Sequence, residues 1–268
     1  NKLFYEKGVD LYYNNTDFHN RVNLNFDDRS EFNKAKTVAE KADIVVMVLG
    51  EEGYQSGEGR SRTNIKLPGL QLELLKEIYE INKNIVLVVN SGRPLDLSWE
   101  DENIPTIVQA WQLGSRSGEA IAKVLYGDYN PSGKLTMSFP RNVGQVPIYY
   151  NFKNTGRPST SIEQVTNSGY ADVENSALYP FGHGLSYTKF SYTDVLLDKT
   201  ELTLKSKITL SFKIKNIGTV KGTEIAQMYI RDVVGSIARP MRELKGFKVV
   251  ELNPCLLYTS DAADEVSW

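Results

Sequence analysis

The sequence predicts an α/β layered domain built on a mostly parallel sheet, followed by a β-sandwich that is cut short. Three observations carry this. Strand-sized segments at Ile44–Leu49, Ile85–Val89 and Thr106–Trp111 alternate with stretches of helical periodicity, the pattern of βαβ units. Past about residue 190 the pattern changes: Ile208, Leu210, Phe212 and Ile214 alternate with Thr209, Ser211 and Lys213, a half-buried strand at period two. Only about 65 residues then remain before Pro254, whereas a complete sandwich of this type takes about seven strands and 100 residues.

The elements follow in order. Phe32, Ala35, Val38, Ala39 and Ala42 form a helical stripe over 31–42, with Ser30 placed to cap it. Ile44–Leu49 is continuously apolar, as expected of a strand buried on both faces. Leu70, Leu74, Leu75, Ile78 and Ile81 mark a second helix before the strand at Ile85–Val89. Thr106–Trp111 is a third strand, and Ala120, Ile121, Val124 and Leu125 a further helix that Gly127 ends. Pro140–Tyr187 has little periodicity but carries Tyr149, Tyr150, Phe152, Tyr170, Tyr179, Phe181 and Tyr187, too aromatic for a disordered linker. In the sandwich, Asn216–Gly218 and Lys221–Gly222 turn the chain into a strand with Ala226, Met228 and Ile230, and Leu244–Leu252 gives another. From Cys255 to Trp268 no strand pattern continues, and the segment reads as a non-native appendage left outside the fold in preference to a flexible natural tail.

Composition excludes several functions. The chain has 268 residues, 31 basic against 33 acidic, and a net charge of −2, without the basic excess of a nucleic-acid binder. Its longest apolar run is far below the roughly 18 residues of a membrane span. One cysteine and two histidines, His19 and His183, speak against an internal disulfide framework, a cysteine-rich zinc site and a histidine-rich metal centre. The chain opens on Asn1 with neither Met nor a charged-then-apolar leader, so either a signal was removed or the start lies upstream.

Ligands of open parallel sheets bind beyond the carboxyl ends of the strands. Three loops lie there: Gly50–Leu67, Asn90–Asn103 and Gln112–Ser117. The first has eighteen residues, against a usual two to six. It holds Glu51, Glu52, Glu58, Arg60 and Arg62 among four glycines, a composition suited either to a polar site or to a solvated surface loop. Gly53, Gly57 and Gly59 do not form a phosphate loop: the Lys-Ser/Thr ending is missing and three acids would repel phosphate. No Ser-His-Asp arrangement stands out, and His183 between two glycines reads as a hydrogen-bonded structural histidine in a tight turn. Trp111 is either a core residue or a platform on which a sugar stacks.

Several motifs together resemble the C-terminal domain of glycoside hydrolase family 3. They are Gly127–Pro140 (GDYNPSGKLTMSFP), Asn90–Leu95 (NSGRPL), Ala110–Gly114 (AWQLG) and Tyr179–Tyr187 (YPFGHGLSY). Val146–Tyr150 and Asn154–Pro158 are similar to stretches of the bacterial periplasmic β-glucosidases of that family. Asn216–Gly218, Gln227–Tyr229 and Arg239–Phe247 resemble the family's fibronectin type III-like domain. The resemblance implies an α/β three-layer sandwich with its following loop region over 1–189, a partial fibronectin type III-like domain over 190–254, and the tail at 255–268.

It also implies a function. The family's enzymes are retaining, exo-acting β-glycosidases of β-glucosidase or β-xylosidase type, acting on terminal β-linked glucosides or oligosaccharides. The nucleophilic Asp belongs to an N-terminal (β/α)8 barrel of the same full-length protein and is not in this chain, which alone should be silent. The general acid/base is a Glu on the long loop: matching back from Arg62–Ile65 favours Glu58, whereas matching Glu52–Tyr54 to the fungal relatives favours Glu52. Arg60, Arg62 and Trp111 are the candidate substrate contacts. No cofactor, metal or nucleic-acid partner is implied, and the compartment would be periplasmic or extracellular. The rival reading is a non-catalytic carbohydrate-binding or cell-surface module of α/β plus immunoglobulin-like type.

Overall fold

The computed structural model describes residues 2–13, 22–159, 162–163, 166–201 and 208–262. His19 and tail residues 263–268 lie outside them. The chain forms two compact units, one from residues 1–117, 139–148 and 172–178, the other from 118–138, 149–171 and 179–268.

The first unit is an α/β layer. Strands β1 (Val45–Gly50), β2 (Ile85–Asn90) and β3 (Thr106–Gln109) run parallel with β2 in the centre. Register pairs Met47 with Leu87 and Val88 with Val108. Helices α1 (Phe32–Ala39), α2 (Gln71–Ile81) and the short α3 (Ser98–Asn103) complete it. Leu74, Leu75 and Ile78 of α2 are buried, as are Leu87, Val88 and Val89 of the central strand. β2 is therefore buried on both faces, as its apolar run predicts.

Two expectations need correction here. β1 is not buried on both faces: Met47 and Leu49 are inside, but Val46 and Val48 are 48% and 55% exposed. What is uncovered is one face of the strand, the one carrying Val46 and Val48, since alternate side chains point to opposite faces. Ser30 does not cap α1 either. The N-cap is Glu31, with no side-chain capping bond. Ser30 instead donates its N–H to Asp28 Oδ1 at 2.9 Å, which holds that carboxyl below its usual range.

The second unit begins with α4 (Ser117–Leu125), whose stop at Gly127, with φ +81°, matches the sequence. It continues as antiparallel strands in two sheets, a fibronectin type III-like β-sandwich grammar. β4 (Phe190–Leu197), β5 (Leu210–Asn216) and β8 (Leu257–Ala262) form one sheet, with β5 in the middle. β6 (Gly222–Ile230) and β7 (Glu243–Leu252) form the other. Ile214, Ala226, Val250 and Leu252 make the core, with Phe190, Phe212 and Tyr258 packed on it. The expectation that nothing past Cys255 joins the fold is overturned for 257–262, which pairs residue by residue with β5 from Leu257↔Lys215 to Ala262↔Leu210.

Asn216 ties the turn after β5 together. Fully buried, it accepts from Thr188 Oγ1 at 2.7 Å and donates to the carbonyls of Val220 and Leu252 at 2.9 and 3.0 Å. Asn216→Ala orphans the buried Thr188 hydroxyl and Leu252 carbonyl, so the sandwich should lose about 2 kcal/mol, read as a lower urea midpoint with unchanged slope. An unchanged midpoint would show that the network contributes nothing net.

His183 lies in this unit. His183 donates its N–H to Pro180 and accepts at its carbonyl from Leu135. Its ring stacks on Tyr179 at 5.5 Å.

Candidate active-site loop

The long loop leaves β1 through a constrained joint. Gly50 has φ +135°, and a Cβ there would lie 1.8 Å from the Asn90 carbonyl oxygen, so no other residue fits. Gln71 from α2 clasps this joint: it accepts from Gly50 N at 2.7 Å and donates to the Gly50 and Pro68 carbonyls, both at 2.9 Å. One buried amide thus fastens the start and the end of the loop.

The three loop carboxylates then take different environments. The Glu51 side chain is completely buried between two guanidiniums, with Arg62 Nη1 at 2.5 Å and Arg93 Nε at 3.1 Å. A carboxylate taken from water needs such compensation. Glu52 closes a single 3₁₀ turn over Gly53–Gln55, accepting from Tyr54 N at 3.0 Å while its own N–H donates to Gln55 Oε1 at 3.1 Å. That is a reciprocal capping box. Glu58 lies in the tip Ser56–Gly59, exposed and without a hydrogen-bond or ion-pair partner among the described residues. Gly57 and Gly59, with φ +118° and +68°, turn the backbone there, and Arg60 N closes the turn on the Gly57 carbonyl at 3.2 Å.

The neighbouring loops converge on the same place. Arg93 Nη2 donates to the carbonyls of Gln55 and Arg60, at 2.5 and 2.8 Å, on either side of the tip. A Cβ on Gly92 would stand 1.9 Å from Ser56 Oγ and 3.4 Å from Gln112 Nε2, so the loops after β1, β2 and β3 meet at this glycine.

Of the residues singled out from sequence, Glu52, Glu58, Arg60 and Arg62 share this loop. Arg62 has its guanidinium committed to Glu51 and to the Lys66 carbonyl at 3.0 Å. Trp111, at φ +54° just past β3, is half-buried with its ring 5.7 Å from that of the buried Phe139. Sequence reasoning missed Glu51 and Arg93 as the residues that fix the loop. Arg93 stands in the Ser-Gly-Arg-Pro stretch directly after the central strand, where a long cation is well placed to reach a neighbouring loop.

An α/β layer with a long acidic loop at the strand ends, followed in sequence by a sandwich module, defines a recognisable class. Residues 6–187 match the glycosyl hydrolase family 3 C-terminal domain and residues 224–255 a fibronectin type III-like domain. The chain belongs to glycosyl hydrolase family 3. It is 42% identical over 261 residues to a periplasmic β-glucosidase of Salmonella typhimurium, covering 94% of this chain and 34% of that protein. A β-xylosidase of Formosa agariphila is 41% identical over 227 residues, covering 83% and 30%. Among solved structures, a β-glucosidase of Listeria innocua in complex with glucose superposes with a TM-score of 0.84 at 36% identity, over 89% of this chain and 33% of that one. The chain spans about a third of the length of the curated relatives it matches.

Proposed function

We propose that this chain is the C-terminal part of a retaining, exo-acting β-glycosidase of β-glucosidase type, and that Glu58 is its general acid/base. The observation that carries this is the division of labour in the loop. Glu51 is locked between arginines and Glu52 caps a turn, whereas Glu58 projects free at a glycine-flanked tip. A proton donor to a glycosidic oxygen has to be reachable; a buried, paired carboxylate is not.

In this reading an aspartate of an N-terminal (β/α)8 barrel attacks the anomeric carbon, and Glu58 protonates the departing oxygen about 5–5.5 Å away. The aspartate carries the negative charge of the pair as it attacks. Formation of the glycosyl ester removes that charge. Glu58 then takes a proton from water, which hydrolyses the ester with net retention. Arg60 and Trp111 serve as substrate contacts, and Arg62 acts through Glu51. Without the barrel nucleophile the chain by itself turns over no glycoside.

The domain division that accompanies this is an α/β sandwich with its loop region over 1–189 and a partial fibronectin type III-like module over 190–254, to whose sheet β8 (Leu257–Ala262) adds a strand from beyond that boundary. A periplasmic or extracellular location fits the relatives; no helix among the described residues is long and apolar enough to cross a membrane. The test is Glu58→Ala in the polypeptide carrying both lobes, compared on glycosides with poor and good leaving groups. Loss confined to the poor ones supports the role, and equal loss on both removes Glu58 from it.

A further inference from the structure

We infer that Arg93, together with Gly92, is the positioning device for the acid/base tip: it acts on catalysis only through where it holds residues 56–59. This rests on the assignment of Glu58 made above. The geometry is specific. One guanidinium nitrogen of Arg93 binds the carbonyl oxygens of Gln55 and Arg60, the two residues that bracket the tip. The other side of the same group, Nε, is anchored to the buried carboxylate of Glu51 at 3.1 Å. Glu51 is in turn fixed by its backbone N–H to Asn90 at 2.7 Å and by Arg62.

The charges make a directed chain. Glu51 neutralises and orients Arg93 through Nε, and Arg93 Nη2 donates to the two carbonyls that bracket the tip. A planar guanidinium can do this because its donors lie in a fixed fork; an ammonium is a single point charge. Gly92 completes the mould, since any side chain there would collide with Ser56, two residues before Glu58. Gly57 and Gly59 leave the tip backbone permissive, so its conformation is set from outside, by the loop after β2. Support from such neighbours decides whether a catalytic group sits within reach, and a 1 Å misplacement costs about 10²-fold in rate.

The experiment is a double-mutant cycle in the full-length enzyme, with kcat/KM measured on an alkyl β-glucoside and on a dinitrophenyl β-glucoside. Arg93→Ala is expected to lower activity on the alkyl substrate by about 10²-fold and to spare the dinitrophenyl one. Combined with Glu58→Gln, it should add almost nothing to the loss that Glu58→Gln alone produces on the alkyl substrate, because the group it positions is already gone. Arg93→Lys, which keeps the charge beside Glu51 but not the fork, should fall between wild type and Arg93→Ala, and it serves if the alanine variant does not fold. Losses by Arg93 variants that are equal on both substrates, or that multiply with Glu58→Gln, would overturn the positioning role while leaving Glu58 as the acid. Absence of leaving-group dependence in Glu58→Gln itself would instead sink the assignment beneath it.

Discussion

Replacing Glu58 by alanine in the enzyme that carries both lobes should lower kcat/KM on an alkyl β-glucoside by about 10³-fold. On a dinitrophenyl glucoside kcat/KM should stay within about tenfold of wild type. The asymmetry follows from the leaving groups. An alkoxide cannot depart without a proton, whereas a dinitrophenolate is stable as the anion, so the first step needs no acid. The second step still needs a base, and kcat on the activated substrate should therefore fall as glycosyl-enzyme accumulates. Azide attacks the ester without giving up a proton. Adding it should restore kcat and yield the β-glycosyl azide, a product that reports retention directly. Glu51→Ala should behave differently, because removing a buried carboxylate leaves two guanidiniums, 15% and 21% exposed, facing each other and disturbs folding first. If Glu52→Ala gave the leaving-group pattern and the azide response while Glu58→Ala did not, the acid/base role would pass to Glu52.

How far the fold could be read from sequence depended on whether local periodicity reported burial. β2 is flanked on both sides, so its apolar run and its burial agree. β1 carries the same run, yet Val46 and Val48 on one of its faces stay exposed, because what packs over a face is not written in the strand itself. α3 was invisible: six residues reading Ser-Trp-Glu-Asp-Glu-Asn make less than two turns and show no stripe. β4 was hidden by a register shift between Thr193 and Leu196, where Asp194 adopts φ +53° and breaks the alternation. β8 escaped because its pairing with β5 is set by the partner strand rather than by a pattern of its own. At the site, loop length and the position at strand ends were legible. That Glu51 is the carboxylate locked away was not, because it depends on Arg93, which arrives from 42 residues away in the sequence.

Glu100 should make the α/β unit less stable as pH rises through the weakly acidic range. It lies on α3 at 1% exposure, and its Oε1 has no hydrogen-bond partner among the described residues. Burial pushes its pKa up to about 7, from an ordinary value of 4.5; the nearby Asp96 adds to the rise, while its own backbone N–H and the cations Lys66 and Lys76 oppose it. The sign follows from proton binding. Between these two values the folded state holds a proton that the unfolded chain has lost, so raising the pH favours unfolding. The contribution is complete below about pH 4.5 and lost by about pH 7, a swing of about 3 kcal/mol. Glu100→Gln keeps the shape and cannot ionise. Its stability should match wild type at pH 4 and exceed it at pH 8 by nearly the whole swing, measured by urea unfolding with the fluorescence of the adjacent Trp99 as the probe. A difference of the same size at both pH values would mean that Glu100 keeps the same charge in the folded and unfolded chain, and that the buried carboxyl has found compensation its surroundings do not offer.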